Sequence, residues 1–133
     1  MEVTELNVWA VLVAGLAYYA IGGLWYSPVL FGNVWVKLRG INKFEMKSSA
    51  GPMIGALFVN LASAFVLALL LQLTEAVTLA DGLTTALVAG VSVALAIGLN
   101  HLFEGAKFQM FVLTVGYHLI AYAVMGLILG AWQ

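Results

Sequence analysis

Every charged residue in this 133-residue chain falls outside four long apolar stretches. The stretches cover residues 6–24, 53–73, 83–103 and 108–132, and no Asp, Glu, Lys or Arg lies within any of them. A helix rises 1.5 Å per residue, so about 20 residues match a hydrocarbon core of about 30 Å. The whole chain is 64% hydrophobic and 8% charged. A soluble domain carries roughly a quarter charged residues, and a small soluble fold has too much surface to hide this much apolar side chain. These stretches predict an all-α membrane protein of four transmembrane helices, forming a single domain over residues 1–133.

The few charges predict which way round it sits. All five basic residues, Lys37, Arg39, Lys43, Lys47 and Lys107, fall between the first and second stretches or between the third and fourth. Basic loops stay in the cytoplasm, which would put the first and third loops inside and both termini outside. Glu2 and Glu5 stand where a signal peptide would carry basic residues, so the N-terminus reads as part of the first span's flank. The expected location is the cytoplasmic, or bacterial inner, membrane. A net charge of -1 offers no basic surface to nucleic acid. With no cysteine, thiolate metal sites and cysteine nucleophiles are excluded.

Where the first stretch runs out comes Gly22-Gly23-Leu24-Trp25-Tyr26-Ser27-Pro28-Val29-Leu30-Phe31-Gly32-Asn33-Val34-Trp35. Pro28 disfavours helix at Ser27 and predicts a break there. Residues 28–38 place Leu30, Phe31, Val34, Trp35 and Leu38 on one side at helical spacing. That predicts a short amphipathic helix lying in the interface, with Pro28 in its first turn. Trp25, Tyr26, Phe31 and Trp35 are its expected interface anchors. A polar loop follows, where Ser48 or Ser49 would cap the second span, with Pro52 in its first turn. Asp81 is the expected cap of the third span. Glu104-Gly105-Ala106-Lys107 reads as a tight turn before the fourth.

Small residues recur in steps of four: Ala86, Gly90, Ala94 and Gly98 in the third span, Asn60, Ala64 and Ala68 in the second. Such stripes pack helices closely in lipid, within one protomer or between subunits. With no ionised side chain inside the spans, a carboxylate proton relay or a gating charge is disfavoured. What remains polar is mild. Counting helical rise puts Asn60, Ser92 and His118, with Tyr18 or Tyr19, near one depth. They are the candidate pore or ligand residues. His101 falls close to the cytoplasmic end, and with Asn100 and Glu104 it forms a candidate polar cluster at that face. The two histidines are separated by about 12 Å in depth, too far to share one haem or metal. Hydrolase, phosphate-loop, dinucleotide and zinc-protease motifs are missing, so no catalytic residue, metal or cofactor is expected.

The residues Gly22, Trp25, Tyr26, Ser27, Pro28, Phe31, Gly32 and Trp35 make a G-x-x-W-Y-S-P-x-x-F-G-x-x-W pattern. With Phe103-Glu104-Gly105, Gly116-Tyr117-His118, Met125-Gly126 and Trp132, it resembles a family of small bacterial membrane proteins known as domain of unknown function 1761. The resemblance covers nearly the whole chain. It implies four spans and carries no assigned activity, but it draws attention to Trp25–Trp35 and Tyr117-His118. The functional expectation is a small homo-oligomeric channel or carrier of small solutes or ions, with lipid and further copies of itself as partners. The alternative is a non-catalytic subunit or scaffold that binds a larger membrane protein or lipid.

Overall fold

The computed structural model describes residues 6–39 and 50–132; the expected loop cap at Ser48 or Ser49 lies outside them. Five helices follow in order: α1 (Val8–Trp25), α2 (Gly32–Arg39), α3 (Ala50–Leu73), α4 (Leu79–Glu104) and α5 (Phe108–Ala131). All but α2 are long and apolar enough to cross a membrane. The chain is an all-α membrane protein, with a short helix between the first and second spans.

Local chemistry sets the helix ends. The Asn7 side-chain oxygen accepts the Ala10 N–H at 3.2 Å, giving one exposed donor of α1 a partner. Its Nδ2 donates to the Trp132 carbonyl at 3.2 Å and so ties the start of α1 to the end of α5. α4 begins earlier than the expected Asp81 cap. The Thr78 hydroxyl, on extended backbone, accepts the Asp81 N–H at 3.0 Å. Asp81 then sits in the first turn, where its charge meets the positive end of the helix dipole. At the other end of α4, Gly105 adopts φ 68°, and its N–H and that of Ala106 both turn back to the His101 carbonyl. Glycine takes this left-handed conformation without a steric penalty, which makes the expected tight turn. α2 starts at Gly32 rather than at Pro28. Residues 28–30 are used instead in a turn that closes on Ser27, whose carbonyl accepts the Leu30 and Gly32 N–H groups at 3.1 and 2.8 Å.

Helices α1, α3 and α5 form the core through residues spaced four apart. Ala10, Ala14 and Tyr18 are buried on α1; Asn60, Ala64 and Ala68 on α3; Tyr117, Ala121, Met125 and Leu129 on α5. α5 packs on α1 with one side and carries α4 on another, while α3 packs mainly on α1 and touches α4 lightly. The α4–α5 seam is built on small residues. A Cβ at Gly82 would come within 2.5 Å of the Gly126 carbonyl oxygen, and one at Gly126 within 2.6 Å of the Gly82 carbonyl oxygen. In lipid, where helices gain little from hiding apolar surface, this close approach supplies the attraction. The small-residue stripe of α4 therefore serves packing within the protomer. Among the described residues, Gly51 and Gly55 of α3 have no neighbour within 4 Å of an added Cβ.

Candidate functional site

The three core helices stack their side chains in layers about 6 Å apart, one per four residues of rise. At the end where α1 begins and α3 and α5 finish, a cavity of about 500 Å³ opens between them. Asn7 and Ala10 of α1, Ala68 and Gln72 at the end of α3, Glu75 and Trp132 are among its walls. Next along the axis comes a seal of Ala14, Ala64, Leu67 and Met125, none more than 1% exposed. Beyond it the core turns polar.

The Tyr18 hydroxyl and His118 Nδ1 share a hydrogen bond of 2.5 Å between α1 and α5. The Tyr117 hydroxyl donates to the Tyr18 carbonyl at 3.3 Å. Asn60 of α3 lies near the same Tyr117 phenol. Tyr122 lies near Ser63, whose hydroxyl donates to the Val59 carbonyl at 2.9 Å. The rings join in one cluster: Tyr18 lies 5.5 Å from Tyr117, 5.7 Å from Tyr122 and 5.8 Å from His118, centroid to centroid. Tyr18 and Tyr117 are buried, so their hydroxyls bond to protein groups rather than to water, and Asn60 is buried beside them.

The W-Y-S-P turn closes the layer from the far side. A Cβ at Gly22 would fall 2.6 Å from the Tyr117 hydroxyl oxygen, so glycine is what lets that phenol reach the backbone of α1. The Trp25 indole N–H donates to the Leu113 carbonyl at 3.0 Å, and its ring lies over Gly116, where a Cβ would meet it at 3.2 Å. Phe31 packs on Trp25 at 4.6 Å, and Tyr26 bridges Tyr117 at 5.6 Å to Trp35 at 6.2 Å. Gly32 is pressed against the Tyr26 and Ser27 backbone, leaving no room for a side chain. The Ser27 hydroxyl donates to the Leu24 carbonyl at 2.7 Å. The four aromatics expected as interface anchors are thus half-buried and turned onto one another and α5. The apolar side chains this segment exposes are Val29, Leu30 and Val34.

Of the candidate pore residues, the structure joins Tyr18, Asn60 and His118 in this one layer and places Ser92 elsewhere, exposed on α4. Tyr19 is half-buried. In the expected face cluster, Asn100 and Glu104 are exposed, while His101 turns its ring towards Phe111 at 6.2 Å. Its Nδ1 is shielded and has no hydrogen-bond partner among the described residues. His101 therefore belongs to the α4–α5 side, and His118 to the core. Among the described residues, no three His, Cys, Asp or Glu side chains come together to hold a metal. Tyr117 is the hub that depth counting missed. Its signal was its place beside His118 in the Gly116-Tyr117-His118 motif.

A family model described as "Protein of unknown function (DUF1761)" matches residues 9–130. No curated protein and no solved structure matches the chain.

Proposed function

The chain belongs to the family of proteins of unknown function DUF1761, and from that premise and its geometry we propose that it is a homo-oligomeric carrier of small solutes or ions. One observation carries this reading: the open cavity and the polar layer lie on the same α1–α3–α5 axis, separated by a single layer of small and apolar side chains. A carrier needs a binding layer reachable from one side at a time. Here the polar groups are closed off by the W-Y-S-P turn on one side and by Ala14, Ala64, Leu67 and Met125 on the other. A channel would need these groups lining an open passage, and they are paired with each other instead, so alternating access fits better than a standing pore. Tyr18, Tyr117 and His118 would exchange their present hydrogen bonds for bonds to the solute, with the Asn60 amide beside them as a further partner. The same reading keeps the cavity on the outer face, the basic loops in the cytoplasm, and the protein in the inner membrane beside further copies of itself.

Reconstitution tests it. Proteoliposomes loaded with small radiolabelled solutes should show saturable counterflow that falls at least tenfold in Tyr18→Phe, His118→Ala and Asn60→Ala. Saturable flux left unchanged by all three substitutions would remove this layer from the path.

A further inference from the structure

A second hollow, of about 530 Å³, lies between the last turns of α4 and the first turns of α5. Ala94, Gly98 and Leu102 of α4 and Phe108 and Phe111 of α5 are among its walls. It is a groove on the membrane-facing side of the α4–α5 pair: Leu102 is 81% exposed and Phe108 74%. Gly98 lets the Phe111 ring lie against α4, since a Cβ there would come within 3.0 Å of it. From Ala94 to Leu102 the groove follows α4 for about 12 Å of helical rise, most of one leaflet of a hydrocarbon core about 30 Å thick.

We propose that this groove holds one acyl chain of an anionic phospholipid, with the head group at His101 and Lys107. Three observations at the same end carry it. His101 is the one polar residue among the described walls. Its Nδ1 is shielded and has no hydrogen-bond partner among the described residues. An imidazole left unsatisfied in an apolar wall costs free energy until a polar group reaches the ring, and a lipid head drawn to the groove is such a group. Lys107 supplies the charge. It is exposed, and it stands between Ala106 and Phe108, both of them walls, whereas the acidic Glu104 and its neighbours on either side take no part in the lining. A long cationic side chain beside an apolar span extends to the depth of the lipid phosphates. A groove that is apolar along its length and basic at its end matches a molecule that is apolar along its chain and anionic at its head. Basic pockets between spanning helices hold lipid phosphates on the same grounds. The site is separate from the α1–α3–α5 axis and does not depend on transport.

Native mass spectrometry of the full-length protein in detergent, titrated with dioleoylphosphatidylglycerol or dioleoylphosphatidylcholine, tests this. One phosphatidylglycerol should be retained per protomer, at least fivefold more tightly than phosphatidylcholine, the worth of one lysine at an anionic surface. Lys107→Gln, at an exposed position, should abolish that preference. His101→Phe keeps the bulk of the ring and should weaken phosphatidylglycerol severalfold, with phosphatidylcholine little changed. Equal retention of the two lipids overturns the proposal, and so does a preference that survives both substitutions. Inorganic phosphate that displaces the lipid at equal concentration would mean a phosphate site with no chain in the groove, and would overturn it too.

Discussion

At the scale of single residues, the polar core works because glycine admits what other residues would exclude. Tyr117 reaches the Tyr18 carbonyl only where Gly22 leaves room. Gly22→Ala should therefore displace the phenol and cost about 1–3 kcal/mol, as overpacking does in a filled core; a lowered unfolding temperature in detergent, restored in part by Tyr117→Phe, would show it. Trp25→Phe keeps the ring over Gly116 but removes the donor to the Leu113 carbonyl. It should cost about 0.5–1.5 kcal/mol, the usual net worth of one hydrogen bond. The sequence announced these residues only partly. Trp25, Gly22 and Tyr117-His118 stand out as a motif, and Asn60 and His118 stand out as polar groups in apolar stretches. What the residues could not tell was who faces whom. Each span is apolar nearly all round, so periodicity picks no face, and Ser92 shares a depth with Asn60 while pointing away from the core.

At the scale of elements, the fold was legible where charge and hydropathy decide and less so where caps decide. Span number and approximate limits follow from the uncharged stretches, because lipid tolerates no unpaired backbone and few charges. The start of α4 was misplaced by a few residues, since Thr78 and Asp81 are both good caps and only the backbone conformation tells which one acts. Thr78→Ala should loosen that end by about 1 kcal/mol, seen as faster amide exchange in the first turn of α4 with α1 and α3 unchanged. The short helix after the first span was expected from its apolar spacing; that Trp25, Tyr26, Phe31 and Trp35 turn inward was not, since an aromatic next to a membrane span reads equally as an anchor. Because α2 touches α5 and Trp35 stacks on Tyr26, Trp35→Ala should free α2 and raise amide exchange over Gly32–Arg39 severalfold, leaving the four spans intact.

At the scale of the whole molecule, cavity, seal, polar layer and turn follow one another along a single axis between α1, α3 and α5. α4 stands to one side, held to α5 by the Gly82–Gly126 seam. Gly126→Val should break that seam and unfold or misassemble the protein, whereas Gly51→Val, with no described residue within 4 Å of the added Cβ, should be tolerated. A carrier must open its polar layer to water-borne molecules in the working cycle. Since the chain has no cysteine, a single Ser63→Cys places one thiol in the layer, beside Tyr122. The decisive measurement is its rate of modification by a membrane-impermeant methanethiosulfonate in proteoliposomes. In a carrier, labelling of the folded protein should be slow but complete, with a rate that changes when a transported solute is added. A thiol that stays unmodified until the protein unfolds would mean that these hydrogen bonds only hold the helices together, and would contradict a carrier function.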